Sequence, residues 1–349
     1  MPVTVIAGGQ FGSEGKGKVA HEFARMRGAA VAVRTGGSNS GHTVIDPGGN
    51  PRIFRHLPTA AILDDVTCAI GAGSYLDAEV LLGEIAETKL GTDRLLIDPN
   101  AVIVSAEHKQ DERTERLSER IGSTGSGTGA AVADRIRRTG ALRFAKDDER
   151  LRPWTERAVA PYLRERLRKN QRVILEGTQG FGLSLLHSGY YPHVTSRDTT
   201  AAAFVSEAGL SPLDVDEIAL VIRAFPIRVF GSQSGPLPHE ISWDIVTQES
   251  GNLFPIRETT SVTNMVRRVG RFDSTIVKKA IAANTPTHIV INHLDYVQKL
   301  QNTATSLPPK ARDFLLTVEL DIGVRASFVG LGRSSLLPRH EATDFLCAL

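Results

Sequence analysis

The sequence predicts an α/β fold, a mostly parallel central sheet with helices on both faces. Two observations carry that expectation. Short β-type runs alternate with helical patterns along most of the chain, which is the order that builds parallel sheets. The first apolar run also leads straight into a glycine-rich loop and then a helix-like stretch, placing a phosphate loop at the carboxyl end of a strand.

Taken in order, Val3–Ala7 is the opening strand, Gly8–Val19 the loop and Lys18–Arg27 the first helical stretch. Ala29–Val33, Thr67–Ile70, Arg94–Ile97, Arg172–Leu175, Glu217–Ile222 and Thr287–Ile291 read as further strands, and Glu79–Leu90, Glu107–Ile121, Thr155–Lys169 and Ser274–Ala283 as helices. Asp46-Pro47-Gly48-Gly49-Asn50-Pro51 at the centre of Val44–Phe54 predicts a β-hairpin. The charged stretch Lys146–Arg152 reads as a solvated loop or helix start. Gln301–Pro309, polar and proline-bearing, links the last sheet strand to a final helix–strand unit. With no repeat and no low-complexity linker, residues 1–349 are expected to form a single domain.

Composition narrows the function. Apolar residues make up 41% of the 349, enough for a sizeable core and against disorder. The formal charge of +2, from 41 basic and 39 acidic residues, gives no global basic field, so small anions bound locally are expected and nucleic acid is not. Cys68 and Cys347 are too few for a disulfide framework or zinc site. No signal peptide or membrane-length apolar run is visible, so a soluble, cytoplasmic protein is expected.

The chemistry is concentrated in clusters. Gly8-Gly9-Gln10-Phe11-Gly12-Ser13-Glu14-Gly15-Lys16-Gly17-Lys18 has the glycines that let backbone N–H groups approach an anion, with Lys16 and Lys18 adding charge for a β- or γ-phosphate. Val19 stands where a Walker A loop needs Ser or Thr, so this is a phosphate loop of another kind. Arg34-Thr35-Gly36-Gly37-Ser38-Asn39-Ser40-Gly41-His42-Thr43 follows the next strand, and imidazole there can exchange a proton near neutral pH. Gly122-Ser123-Thr124-Gly125-Ser126-Gly127-Thr128-Gly129 can cap a helix and bind phosphate. Glu176-Gly177-Thr178-Gln179-Gly180 closes a strand and is followed by Tyr191–Thr200. The Gln179 amide is both a donor and an acceptor, whereas His187 and His193 read as local hydrogen-bonders. Glu258–Gly270 carries Arg267 and Arg268, suited to bidentate carboxylate binding. Ile291–Asp295 and Gly330-Leu331-Gly332-Arg333 complete the set.

These clusters, in this order from Gly8 to Arg333, resemble the adenylosuccinate synthetases, whose loop reads G-D-E-G-K-G-K, and are most similar to the phage-type branch, the 2-aminoadenylosuccinate synthetases. The resemblance implies a phosphate-loop (P-loop NTPase-like) fold and a magnesium-dependent ligase that acts as a homodimer on a purine nucleotide, L-aspartate and a purine triphosphate. Carried over residue by residue, it implies catalytic roles for Ser13, Lys16, His42 and Gln179. Ser13, Asn39, Ser123, Thr124, Gln179 and Thr195 would bind the nucleotide, with Arg138, neighboured by Arg137, reaching the nucleotide of a partner subunit. Arg267 and Thr263 would bind aspartate. Gly12, Glu14, Gly15, Lys16, Gly17, Gly41, His42, Thr43, Asn292, Asp295, Gly330 and Gly332 would bind the triphosphate donor, and Ser13 and Gly41 the metal.

The departures matter too. Ser13 replaces the aspartate that the family uses as base and magnesium ligand, Ser126 an arginine, Met265 an arginine directed at the ribose 2′-hydroxyl and the incoming aspartate, and His293 a lysine. They point to dGMP as substrate and open ATP or dATP as donor beside GTP, with the host-cell cytoplasm as the setting if the chain is phage-encoded. An ordinary synthetase acting on IMP with GTP, or an inactive nucleotide sensor, is the alternative.

Overall fold

The computed structural model describes residues 2–138, 140, 142–260, 264–300 and 306–343. Its centre is a nine-stranded sheet in the order Leu336–Pro338, Phe328–Gly330, His288–Asn292, Val215–Arg223, Val3–Gly8, Val173–Glu176, Val31–Arg34, Thr67–Ile70, Leu95–Ile97. Every pairing is parallel except that of Phe328–Gly330 with Leu336–Pro338. Successive strand residues point to opposite faces. Thus Val5 and Ala7 join a core with Phe204, Val277 and Leu315, while Ile6 faces Val19 and Phe23 on the other side. This two-sided burial is why the strands are apolar runs and not alternating ones.

Lys16–Met26 packs Val19 and Phe23 on one face, and Val159–Arg168, Ala201–Glu207, Ser274–Asn284 and Pro309–Ile322 cover the other. His42–Ile45 and Pro51–Phe54 form the expected antiparallel hairpin. Three short antiparallel strands, Ile227–Arg228, Arg268–Gly270 and Glu240–Ile241, make a small second sheet beyond the carboxyl end of the central one.

Three expectations change. The stretch read as one helix from Glu107 to Ile121 is two, Ala106–Thr114 and Leu117–Ile121, because Arg116 takes a left-handed φ of 54°. The break turns Leu117, Arg120 and Ile121 toward the cleft described below. Lys146–Arg152, exposed at Lys146, Asp147, Glu149, Arg150 and Arg152 as a solvated stretch should be, gains two buried anchors in Asp148 and Leu151, and Asp148 grips Arg150 through two hydrogen bonds of 3.0 and 2.9 Å. The final helix–strand unit gains the antiparallel strand Leu336–Pro338.

Candidate active site

At the carboxyl ends of the central strands lies a cleft of about 460 Å³. Its first wall is the phosphate loop. Glu14 folds inward and organises that loop: one carboxylate oxygen accepts from the backbone N–H groups of Gln10 (3.1 Å) and Gly12 (2.8 Å), the other from Lys16 Nζ at 2.5 Å. A Cβ on Gly180 would stand 2.3 Å from that carboxylate and 2.6 Å from the Gly12 nitrogen, so only glycine fits where Gly180 meets the loop. Gly12, Ser13 and Lys16 face the cleft. Ser13 adopts a φ of 56°, and its carbonyl accepts from Arg223 at 2.8 Å.

Lys18 does not join Lys16 in the cleft. Its Nζ donates to the carbonyls of Gly332 (2.8 Å) and Ser335 (3.2 Å). Burial lowers its pKa to about 8, opposed by the nearby Asp295 carboxylate. The reason is helical geometry: Lys16 and Lys18 both belong to Lys16–Met26, and residues two apart do not share a helix face.

The second wall is built on His42. Glu176, at the end of the neighbouring strand, accepts from His42 Nδ1 at 2.6 Å and from Arg34 at 2.6 Å, while its other oxygen accepts from the Thr59 N–H (2.8 Å) and hydroxyl (2.9 Å). Arg34 also lies directly against His42 Nδ1. Paired with the carboxylate, which only accepts, Nδ1 carries the proton, and in that tautomer the donor-only Arg34 guanidinium beside it makes no hydrogen bond to the ring. Burial and then the Arg34 charge push the His42 pKa down to about 3, against the pull of Glu176, so the ring is neutral in the free protein. Burial alone would raise the Glu176 pKa, but Arg34 and His42 outweigh it and leave it below the ordinary carboxylate range.

Asn39 and Gly41 line the cleft beside His42. Opposite them run Ser123 and Thr124, with Gln179 and Thr195 completing the enclosure. Glu112 holds the Ser123–Gly129 loop, accepting from Ser123 Oγ (3.2 Å) and from the Gly129 N–H (2.8 Å). His193 also lines the cleft, and its Nδ1 pairs with the Gln233 carbonyl at 2.9 Å, the local role expected of it. Arg267 reaches the cleft with its Nε donating to the Thr259 carbonyl at 3.2 Å. Thr263 lies outside the described residues, and Met265 is half-exposed on the same segment.

The remaining predicted residues gather elsewhere. Glu14, Gly15, Gly17, Thr43, Asn292, Asp295, Gly330 and Gly332 do not line this cleft. Asn292 donates to the Glu14 carbonyl at 2.8 Å, and a Cβ on Gly330 would meet both Asn292 Oδ1 and Lys18 Nζ. Behind the loop, Asn292 Oδ1 and Asp295 Oδ1 are buried without a hydrogen-bond partner. Burial pushes the Asp295 pKa up. Arg138, in a left-handed conformation after the helix Thr128–Arg137, stands outside the cleft.

A sequence profile of adenylosuccinate synthetase matches residues 5–152 and 142–305. The adenylosuccinate synthetase of Methanocaldococcus jannaschii is 38% identical over 339 residues, covering 95% of this chain and 94% of that one. The chain belongs to the adenylosuccinate synthetase family. That of Archaeoglobus fulgidus is 36% identical over 95% of this chain and 96% of its own. Among solved structures, the cyanophage S-2L succinoaminodeoxyadenylate synthetase bound to dGMP and dATP is 27% identical, with a TM-score of 0.80 over 97% of this chain and 95% of that one. Fully ligated adenylosuccinate synthetase from Plasmodium falciparum, 20% identical, matches the fold with a TM-score of 0.83 over 97% of this chain and 100% of its own.

Membership makes the chain a carbon–nitrogen ligase of purine biosynthesis. Among the described residues no three His, Cys, Asp or Glu side chains form a metal-ion cage, and no helix is long and apolar enough to cross a membrane. The oxygens that position 13 and Gly41 offer are neutral. Magnesium is usually held through one or two carboxylates and substrate phosphates, so this set, without a carboxylate at position 13, would leave most of the ion's shell to phosphate oxygens and water.

Sequence reading included Arg34 and Glu176 in its clusters without giving either a role, and passed over Glu112 and Arg223. Arg34 carried a usable signal, a charged residue ending an apolar strand, and the structure buries it completely.

Proposed function

We propose that this chain condenses L-aspartate with dGMP, driven by ATP or dATP, to form N6-succinyl-2-amino-2′-deoxyadenylate. The observation that carries this reading is Ser13, a neutral, small residue on the cleft wall where the family has an aspartate. Serine leaves space for the guanine 2-amino group and an oxygen to accept from it, the two things an enlarged base requires of its pocket. Met265 removes an arginine that the family directs at a 2′-hydroxyl, and the cyanophage synthetase solved with dGMP and dATP supports both substrates.

In this reading Gln179 holds the base edge, Ser123, Thr124 and Thr195 the 5′-phosphate, Asn39 the nucleotide, and Arg267 with Thr263 the aspartate carboxylates. Lys16 and the loop N–H groups draw charge from the triphosphate. Asn292, Asp295, Gly330 and Gly332 hold the donor purine, with Gly15, Gly17 and Thr43 against its phosphates. Gly41 and Ser13 would hold magnesium, which would supply positive charge against the transferring group. The purine O6 attacks the γ-phosphorus, the bond to the β–γ bridging oxygen breaks and the nucleoside diphosphate leaves, while the N1 proton passes to solvent. The aspartate amine then attacks C6 and phosphate leaves. His42, neutral when the site is empty, gains a proton at Nε2 as the phosphates bring negative charge beside it, and donates to O6. Glu176 holds the ring for that step.

Competition between dGMP and IMP for limiting enzyme, read by chromatography of the products, tests the proposal. Dominant product from dGMP supports it. Preference for IMP sinks it and favours the reading carried by the archaeal relatives, all named adenylosuccinate synthetases, with GTP as donor. Absence of aspartate-dependent phosphate release with every nucleotide would indicate an inactive sensor. The proposal includes a homodimer in which Arg138 reaches the partner's nucleotide. Mixing Arg138→Leu chains with Lys16→Ala chains should then restore part of the activity, and no restoration would remove the shared site.

A further inference from the structure

The strand Val215–Arg223 ends in an arginine that is 0% exposed. Its backbone is clamped by Gln10, which accepts from the Arg223 N–H at 2.9 Å and donates to its carbonyl at 3.2 Å. The guanidinium then forks. NH1 donates to the Ser13 carbonyl at 2.8 Å, and both NH1 (3.3 Å) and NH2 engage the Glu258 carboxylate. Glu258 in turn accepts the Arg267 N–H on its own carbonyl at 2.8 Å. Tyr296, next to Asp295, has its ring centroid 5.9 Å from the guanidinium and 5.2 Å from that of His293. Burial alone would raise the Glu258 pKa, but the Arg223 charge overrides it and the group sits at about 2, so the pair is ionic.

One ion pair, its arginine fully buried and its carboxylate 21% exposed, therefore touches the phosphate loop at Ser13, the segment that carries Arg267, and the Leu294–Tyr296 turn. Desolvating two charges is expensive, and a buried pair is weak support for stability but well suited to fixing one arrangement among several. A forked guanidinium can hold a carbonyl and a carboxylate together, whereas an ammonium cannot reproduce that geometry.

We propose that Arg223 and Glu258 are positioning residues that hold these three segments in register, so that the grip of Arg267 on the amino acid depends on a pair that contacts no substrate. The inference rests on the assignment of Arg267 to aspartate made above.

The test compares full-length Arg223→Lys and Glu258→Gln with the unaltered chain. Losing one charge-assisted hydrogen bond should raise the KM for aspartate about 10–100-fold, with the nucleotide KM changed by less than about threefold. An Arg223→Met/Glu258→Met double variant removes the unpaired charge while keeping apolar bulk, and should fold yet keep the raised aspartate KM. A purely structural pair would instead give the double variant a normal aspartate KM, or raise all substrate KM values together; either result overturns the proposal. Hydrogen exchange gives a readout independent of turnover. Arg223→Lys should speed exchange both in peptides carrying Ser13 and in those carrying Arg267, and a change confined to one of them refutes the coupling. If the unaltered chain turns over no nucleotide, the functional reading fails while the exchange result still decides the coupling.

Discussion

Replacing Glu176 with glutamine should cost both stability and turnover, and the structure sets the size of each. The carboxylate is fully buried and accepts four hydrogen bonds, from His42, Arg34 and twice from Thr59. An amide offers one acceptor oxygen and one NH2, so in either orientation its donor faces donors. It also leaves Arg34, 2% exposed, without its counter-charge. Removing one member of a buried pair costs about 3–5 kcal/mol. At about 2.1 cal/mol/K per residue, 349 residues give an unfolding entropy of roughly 0.7 kcal/mol/K, so Tm should fall by about 4–7 °C. The His42 ring loses the acceptor that fixes its tautomer, and kcat should drop about 10²–10³-fold, the scale of a misplaced proton-transfer group. Differential scanning fluorimetry and initial rates of phosphate release measure the two effects on one preparation. A Tm within 1 °C of the parent together with unchanged kcat would refute both the ion-pair accounting and the positioning of His42.

His42→Asn should lower kcat about 10²–10⁴-fold while nucleotide affinity, measured by equilibrium binding, stays close to normal; unchanged turnover would leave His42 a structural hydrogen-bonder. His42 and His56 are both held neutral with pKa values near 3, so the unfolded chain binds more protons below about pH 6.5 and stability falls on acidification by up to about 1.4 kcal/mol per pH unit for each ring. Urea titrations between pH 7 and 5 should show that slope, and His56→Gln should reduce it; a flat profile would mean the rings charge in the folded state. Lys18→Met unties the Gly332 and Ser335 carbonyls and should raise the donor KM about 10-fold, leaving the nucleotide KM unaltered in steady-state assays. Ser13→Asp restores a carboxylate with a reference pKa of about 3.9, able to take the N1 proton of hypoxanthine, and should shift the product ratio toward IMP in the competition assay; an unaltered ratio would detach specificity from position 13.

The parts of the site that sequence exposed are those made by local pattern. Glycines at 12, 15 and 17, the hairpin turn around Pro47 and the Gly41-His42 corner each act within a few residues, and the alternation of strand and helix sets the sheet. What stayed hidden depends on partners far apart in the chain. Glu176 meets Arg34 across 142 positions and Arg223 meets Ser13 across 210, and nothing in either local sequence announces the other. Arg116 illustrates a different limit: its neighbours are ordinary helix formers, and only packing of Leu117–Ile121 onto the Ser232–Ser234 turn favours the break. Lys18 was legible in principle, since two positions along a helix reverse the direction of a side chain.

Three cations of the site share one arrangement. Lys16, Arg34 and Arg223 each stand at the cleft or one residue behind it, and each is held by a carboxylate that turns into the protein: Glu14, Glu176 and Glu258. A free cation in a cleft would swing with its rotamers and would have to be ordered when an anion arrives. Held by an inward carboxylate, it keeps its place beforehand, and donors fixed in advance cost no reorganisation during reaction. The cost falls on the folded state, which must bury two ion pairs and the arginine of a third against the desolvation of their charges. Position 13 stands apart from that scheme. It lies between Gly12 and Glu14 on the same loop, its carbonyl is tied by Arg223, and its side chain is left neutral and facing the cleft. In the proposed reading the fixed charges around the cleft orient phosphate and amino acid, whereas the uncharged side chain at 13 meets the base and the metal.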